Sequence, residues 1–193
     1  MHLSKVLHCY LKYYSNYAIL NPILKWIVAL NLTLVGNSFA QNINNLDKKY
    51  GINKFKLETA FDLYKENCEL DLTADDGVKY YKYTRWFDVV IFGEHASSAI
   101  LGFYKNKLYT VSIDLSLTDT KSVLYLRKNL EELFGLGITA PARENYEMEW
   151  FWQTEKTYLD LNKLSCSSLY KPCVTNIFIL SNKLSEEIKS DQF

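Results

Sequence analysis

The residues able to do chemistry are few, and their spacing decides how far each can be taken. His95 is the one histidine beyond residue 40, and it lies in Phe92-Gly-Glu-His-Ala-Ser-Ser98. A triad or thiol dyad needs a histidine base beside an activated nucleophile. The glycine pattern of a nucleophile elbow is missing here, and Cys68 continues an apolar stripe instead of standing in an electropositive site. His95 is therefore read as a polar loop residue. Glu147 and Glu149 are two apart on an expected strand and so share a face. Paired carboxylates can divide acid and base roles in glycoside hydrolysis, which keeps a hydrolase as an alternative. Asp71, Thr73, Asp75 and Asp76 precede Gly77 in a segment that superficially follows calcium-loop spacing. Such a loop needs glycine at its sixth position and a bidentate glutamate at its twelfth, where this chain has Asp76 and Lys82. A polar turn is expected, with no metal and no cofactor.

Aromatic density is the anomaly. Tyr80-Tyr81-Lys82-Tyr83-Thr84-Arg85-Trp86-Phe87 and Trp150-Phe151-Trp152 place rings on both faces of their strands, and only one face can be core. Tyr80, Lys82, Trp86, Trp150 and Trp152 are the candidate binding residues, as an outward platform for a protein partner or, alternatively, a carbohydrate. Cross-strand pairing of the rings inside the sheet is the competing structural explanation.

The elements that must position these residues follow from periodicity. Thr59 three residues before Asp62, then Phe61, Tyr64 and Cys68, predict a short first helix. After Thr118-Asp119-Thr120, the stripe Val123, Leu126, Leu130, Leu133 and Phe134 predicts a second helix to about residue 134, closed by Gly135. Strands are expected at Val78–Thr84, Val89–Phe92, Ala99–Tyr104, Leu108–Leu115, Tyr146–Gln153, Lys156–Leu161 and Val174–Leu180. In Leu108–Leu115, residues Tyr109, Val111, Ile113 and Leu115 alternate with Leu108, Thr110, Ser112 and Asp114. Lys105-Asn106-Lys107 reads as a hairpin turn, and a second turn is expected near Thr154 and Glu155. The fold class is α+β, two helices on one face of a twisted, mainly antiparallel sheet, with a weak helix-then-meander duplication.

The first 40 residues contain Lys5, Lys12 and Lys25 and no acid. Lys25, the apolar run Trp26 to Val35, and the small residues Ser38 and Ala40 around Phe39 form the pattern of a secretory signal with a mature start near Gln41. The run is too short for a bilayer span, which takes about 20 apolar residues, so an uncleaved anchor is the lesser alternative. The expected organisation is a signal at 1–40, a short linker at 41–50, one domain at 51–182 and a polar tail at 183–193. A periplasmic or secreted location follows. There Cys166 and Cys173, separated by Ser-Ser-Leu-Tyr-Lys-Pro, are expected to pair and Cys68 to stay single.

Of the chain's 22 basic and 22 acidic residues, 19 and 22 lie beyond residue 40. A slightly acidic body without a basic face excludes duplex nucleic acid as a partner. With 48% hydrophobic and 15% aromatic residues the body can build its own core.

Gly51 to Thr59 leading into the first helix, with Gly102-Phe-Tyr-Lys-Asn-Lys-Leu-Tyr109 as a hairpin, resembles small exported bacterial domains of unassigned function. In layout the chain is also distantly similar to beta-lactamase-inhibitor-like proteins and to the small lipoprotein of the outer-membrane assembly machinery, without that lipoprotein's acceptor cysteine. The resemblance implies a binding module for protein partners and carries over no site residue.

Overall fold

The computed structural model describes residues 45–141, 146–164 and 174–192. The strands are β1 (Gly51–Ile52), β2 (Phe55–Lys56), β3 (Cys68–Thr73), β4 (Lys79–Tyr83), β5 (Val90–Ile91), β6 (Glu94–Tyr104), β7 (Lys107–Leu115), β8 (Ile138–Thr139), β9 (Tyr146–Gln153), β10 (Thr157–Leu164) and β11 (Thr175–Ser181). The α-helices are α1 (Thr120–Phe134) and α2 (Asn182–Asp191). One antiparallel sheet runs β3-β4-β6-β7-β11-β10-β9-β8, with β5 paired to β6 and with β1 and β2 forming a small separate ribbon. Two meanders thus meet where the last strand, β11, docks on β7. The fold is α+β.

Antiparallel pairing puts residues of one cross-strand row on the same side of the sheet. The row Tyr81, Leu101, Val111, Ile179, Leu159 and Trp152 faces one way. It belongs to the main core with Ala99, Ile113, Ile177, Leu161 and Trp150. The neighbouring row Ser98, Asp114, Asn176, Asn162 and Glu149 faces the other way and is polar from end to end. Four of the buried side chains that complete the main core come from α1: Val123, Leu126, Leu130 and Phe134. Asp119 caps that helix by accepting from the Ser122 amide at 2.9 Å, and Gly135 ends it at φ 85°, as the sequence suggests.

The first predicted helix does not form. Phe61–Leu63 and Lys65–Asn67 are single 3-10 turns, and Cys68 opens β3. The backbone that would start a helix is engaged by the hairpin of β6 and β7: Glu58 N and Phe61 N donate to Leu108 O and Asn106 O, and Thr59 O accepts from Leu108 N. Non-local pairing overrides the local spacing, and Thr59 caps nothing; the duplicated layout and the pair of helices on one face go with it. Phe61 and Tyr64 still pack against the main core, where the helix was expected to put them.

Three further expectations are corrected. Residues 45–49, placed in the linker, are helical and bury Leu46 completely. The tail is α2, capped by Ser181, with Leu184 and Ile188 buried; Ile188 joins Val78 and Tyr104 in a second cluster beside Tyr80 and Tyr109. Tyr109 is also displaced, because Gly102 pairs with Thr110 but Phe103 with Leu108. Leu108 therefore keeps the core side while Tyr109 leaves it. The predicted turn is confirmed at Lys105 and Asn106, whose φ of 46° and 66° fit a two-residue type I′ hairpin.

Leu130, 1% exposed in the middle of the α1 stripe, makes a test of this packing. Leu130→Ala should lower unfolding free energy by roughly 2 to 5 kcal/mol. Lys128→Ala, on the exposed side of the helix, should change it by about 0.5 kcal/mol or less. Urea midpoints of the two variants would read the difference.

Candidate functional site

The five predicted binding residues fall in three places. Trp150 and Trp152 are 5% and 3% exposed, on the core face. The Trp152 indole N–H donates to Gly135 O at 2.7 Å, and a side chain at Gly137 would strike its ring. Arg127 lies over the Trp150 ring at 4.9 Å. Both tryptophans are thus core residues and no part of a surface platform. Their shared parity with Met148 aims them inward, and the outward ring of that strand is Phe151, stacked on Tyr158. Tyr80 is half-buried on the opposite face over Gly102, its hydroxyl pushed up by burial and then by Asp76 and Tyr109. Lys82 is exposed and paired with Asp71 at 2.6 Å; that contact holds its ammonium above the usual range. Trp86 lies in the exposed turn Trp86–Asp88, edge-on to Phe87 at 6.0 Å between ring centres.

The candidate chemical groups do not converge. Glu147 is bound to the buried Lys163 at 2.9 Å, under Thr120 at the start of α1. Glu149 is opposite Asn162 on the other face of the sheet. A bulge at Lys163/Leu164 separates the two carboxylates that simple alternation would align. His95, expected in a loop, is instead exposed on β6, which begins at Glu94 and not at Ala99, its Nδ1 3.4 Å from Phe87 O. Asp71 is tied to Lys82, and Asp76 accepts from Val78 N at 3.0 Å in the tight β3–β4 turn. Among the described residues no cluster of three or more His, Cys, Asp or Glu side chains could hold a metal. Cys166 and Cys173 lie outside the described residues. Cys68 is a free, half-buried thiol that burial pushes up to about 11. Cys68 should therefore react with iodoacetamide at pH 7 many-fold more slowly than free cysteine, whose pKa is about 8.5. Mass spectrometry of timed samples would measure it.

A cleft of about 640 Å³ lies between Tyr50, Lys56, Glu58, Glu155, Lys156 and Lys183. At its base Tyr50 donates to Glu58, Ser181 Oγ lies 2.8 Å from Tyr50 Oη and donates to Glu58 at 3.1 Å, and Lys183 approaches Glu58 at 3.4 Å. Ser181 is fully buried, so this cluster clasps the segment around Tyr50 to the start of α2 and leaves no accessible nucleophile. Tyr50 and Glu58 both hold positive φ, 45° and 61°, a conformation that costs a non-glycine residue energy and needs such fixing. Burial first, then donation to Glu58, pushes the Tyr50 hydroxyl up to about 12. For Glu58 burial acts upward, but the bonds from Tyr50 and Ser181 and the Lys183 charge outweigh it and hold the carboxyl below its ordinary range.

A carboxyl lowered by folding stabilises the fold above its unfolded pKa, and that stabilisation is lost as pH falls through the folded value. Glu58→Gln should therefore be less stable than the parent at pH 7, with the gap closing progressively below about pH 4.3, the unperturbed glutamate value. Denaturant titrations at both pH values would show it; a gap that does not close in acid would mean that the charge is not the source.

Among the described residues, five of the nine exposed large apolar side chains lie on β3 and on the turns before β3 and after β4; the other four, Leu124, Tyr125, Leu136 and Ile138, are on the outer side of α1 and at β8. Leu63, Leu70, Leu72, Trp86 and Phe87 are 74%, 60%, 50%, 41% and 55% exposed. The end of β4 is held beside them by Thr84 N donating to Asn67 O at 2.9 Å. Beneath this edge lies a groove of about 340 Å³ walled by Phe61, Tyr81 and Phe103, with Lys79 and Lys105 at its rim. Its rings interlock, Phe61 lying 4.6 Å from Tyr81 and 5.0 Å edge-on from Phe103. Sequence reasoning identified Trp86 and passed over its neighbours. Leu63 is expected on the first helix, Leu70 at its end and Leu72 in the polar turn that follows, so their exposure on an edge strand and the turn before it has no local signal.

No protein-family model, curated protein or solved structure matches the chain. The functional reading rests on this surface alone.

Proposed function

We propose that the chain is an exported module that binds a protein partner through the β3 end of its sheet. The observation that carries this reading is that five of the nine exposed large apolar side chains among the described residues, Leu63, Leu70, Leu72, Trp86 and Phe87, belong to one edge strand and the turns that adjoin β3 and β4. Large apolar side chains left in water cost free energy, and grouped they mark an interaction surface. Trp and Phe are also the types that anchor interfaces. Export is supported by the acid-free residues 1–40 with their apolar run and Ser38-Phe39-Ala40. The carbohydrate alternative loses support because Trp150 and Trp152 are core and, among the described residues, the exposed rings of Trp86 and Phe87 meet edge-on. The hydrolase alternative loses its support with the separation of Glu147 from Glu149.

A photo-crosslinking amino acid at Phe87 or Leu70, introduced in the cells that make the protein, should give one discrete adduct, competed by excess purified protein. The same group at Lys128, on the exposed side of α1, should give none. Equal labelling from all three positions, or no adduct at all, would overturn the reading. The captured protein should begin near Gln41 by mass spectrometry.

A further inference from the structure

The lateral edge formed by β3 is blunted only by one bulge and its own acidic side chains. A strand at the end of a sheet presents unpaired backbone N–H and C=O groups, and proteins commonly blunt such edges with charged side chains, lysine above all, with proline, with bulges or with very short strands. The opposite edge follows that rule, since β8 has two residues. β3 is six residues long and exposed from Glu69 to Thr73, with neither lysine nor proline. Its one irregularity is at Asp71, the extra residue between Leu70, which pairs with Tyr81, and Leu72, which pairs with Tyr80. That bulge sends the two leucines to opposite faces, so each side of the edge ends in an exposed apolar group.

The charge on β3 and the turn that follows it has one sign, with Lys79 and Lys82 on the adjoining strand. Between residues 66 and 78 the chain carries Glu66, Glu69, Asp71, Asp75 and Asp76 and no basic residue. Of these, Asp71 pairs with Lys82 of the next strand, which also stands opposite Glu69, and Asp76 accepts from Val78 N in the turn; Glu66, Glu69 and Asp75 keep charge toward solvent. Edge-to-edge pairing of two copies of β3 would bring both sets of acids together, and like charges across a strand pair are destabilising. A basic strand has the complementary charge.

We propose that β3 accepts an extended segment of the partner protein as an added strand, one in which lysine or arginine alternates with apolar residues. Backbone bonds along β3 would hold the segment, apolar side chains would cover Leu70 and Leu72, and basic ones would face Glu69 and its acidic neighbours. This assignment rests on the protein-binding reading above and adds the mode of binding and the chemistry of the ligand.

The test uses the exported protein, isotope-labelled, and a short capped peptide alternating valine with lysine. Amide shifts should be confined to Cys68–Thr73 and β4, and binding should weaken several-fold as salt is raised. Glu69→Lys should weaken it roughly fivefold, as expected for one exposed charge pair. A peptide with glutamate in place of lysine, or one N-methylated at alternate residues, should not bind. The proposal is overturned if either control peptide binds equally well, if shifts fall elsewhere, if no peptide binds, or if the protein dimerises through β3 and the peptide does not displace the dimer. Should the peptide fail while the Phe87 crosslink persists and ignores Glu69→Lys, strand addition is wrong and the protein-binding reading stands. Loss of the crosslink in the parent protein removes both.

Discussion

Strand parity beneath α1 governs this molecule. From Tyr81 across to Trp152, a row of cross-strand neighbours on six strands presents apolar side chains to one side. The buried stripe of α1 belongs to the same core. Because side chains alternate along a strand, the rows between face the other way, and in the one beside Ile113 and Ile177 the side chains of Ser98 and Asn176 both donate to Asp114 across three strands. Slipping one strand by a residue would exchange the two rows and bury carboxylates in place of leucines. Burying the row also commits Trp150 and Trp152 to the interior, where the Gly135 carbonyl that follows α1 receives the Trp152 N–H.

The order of strands explains why the two ends of the sheet differ. β11 closes the centre by pairing with both β7 and β10, so the last strand of the chain is among the best protected. The helix that follows it is held on the second cluster by Ile188 and at its end by Tyr104 and Lys105, which both bond to Asp191. The clasp of Tyr50, Glu58 and Ser181 ties the segment around Tyr50 to the same strand. What is left at the margin is β3, which among the described strands pairs with β4 alone.

The arrangement divides labour between rigid and interactive parts. Aromatic groups at the β9 end serve packing, and those at the β3 end, Phe61, Tyr81 and Phe103, form a groove that opens at the surface. A binding surface on an edge strand benefits from this support, because a partner that adds to a sheet already held on its inner side does not have to order the strand it binds.

Several features were legible from residue order alone. The periodicity of Val123, Leu126, Leu130 and Phe134 with Asp119 and Gly135 at its ends defines α1, and alternating β-branched and aromatic residues define β4 to β7 and β9 to β11, because these signals are local. The first helix failed because Phe61, Tyr64 and Cys68 have helical spacing while the backbone of Glu58 to Phe61 bonds to a hairpin some fifty residues ahead, and local spacing carries no information about that competitor. α2 was read as a polar tail because its apolar face is only Leu184 and Ile188, whose burial depends on Val78 and Tyr104 from distant strands. At the candidate site, the sequence by itself determined that rings were too numerous for one face. Tertiary structure alone decided which rings are core and which leucines are bare, because burial is set by strand order and bulge position, and those depend on partners far apart in the chain.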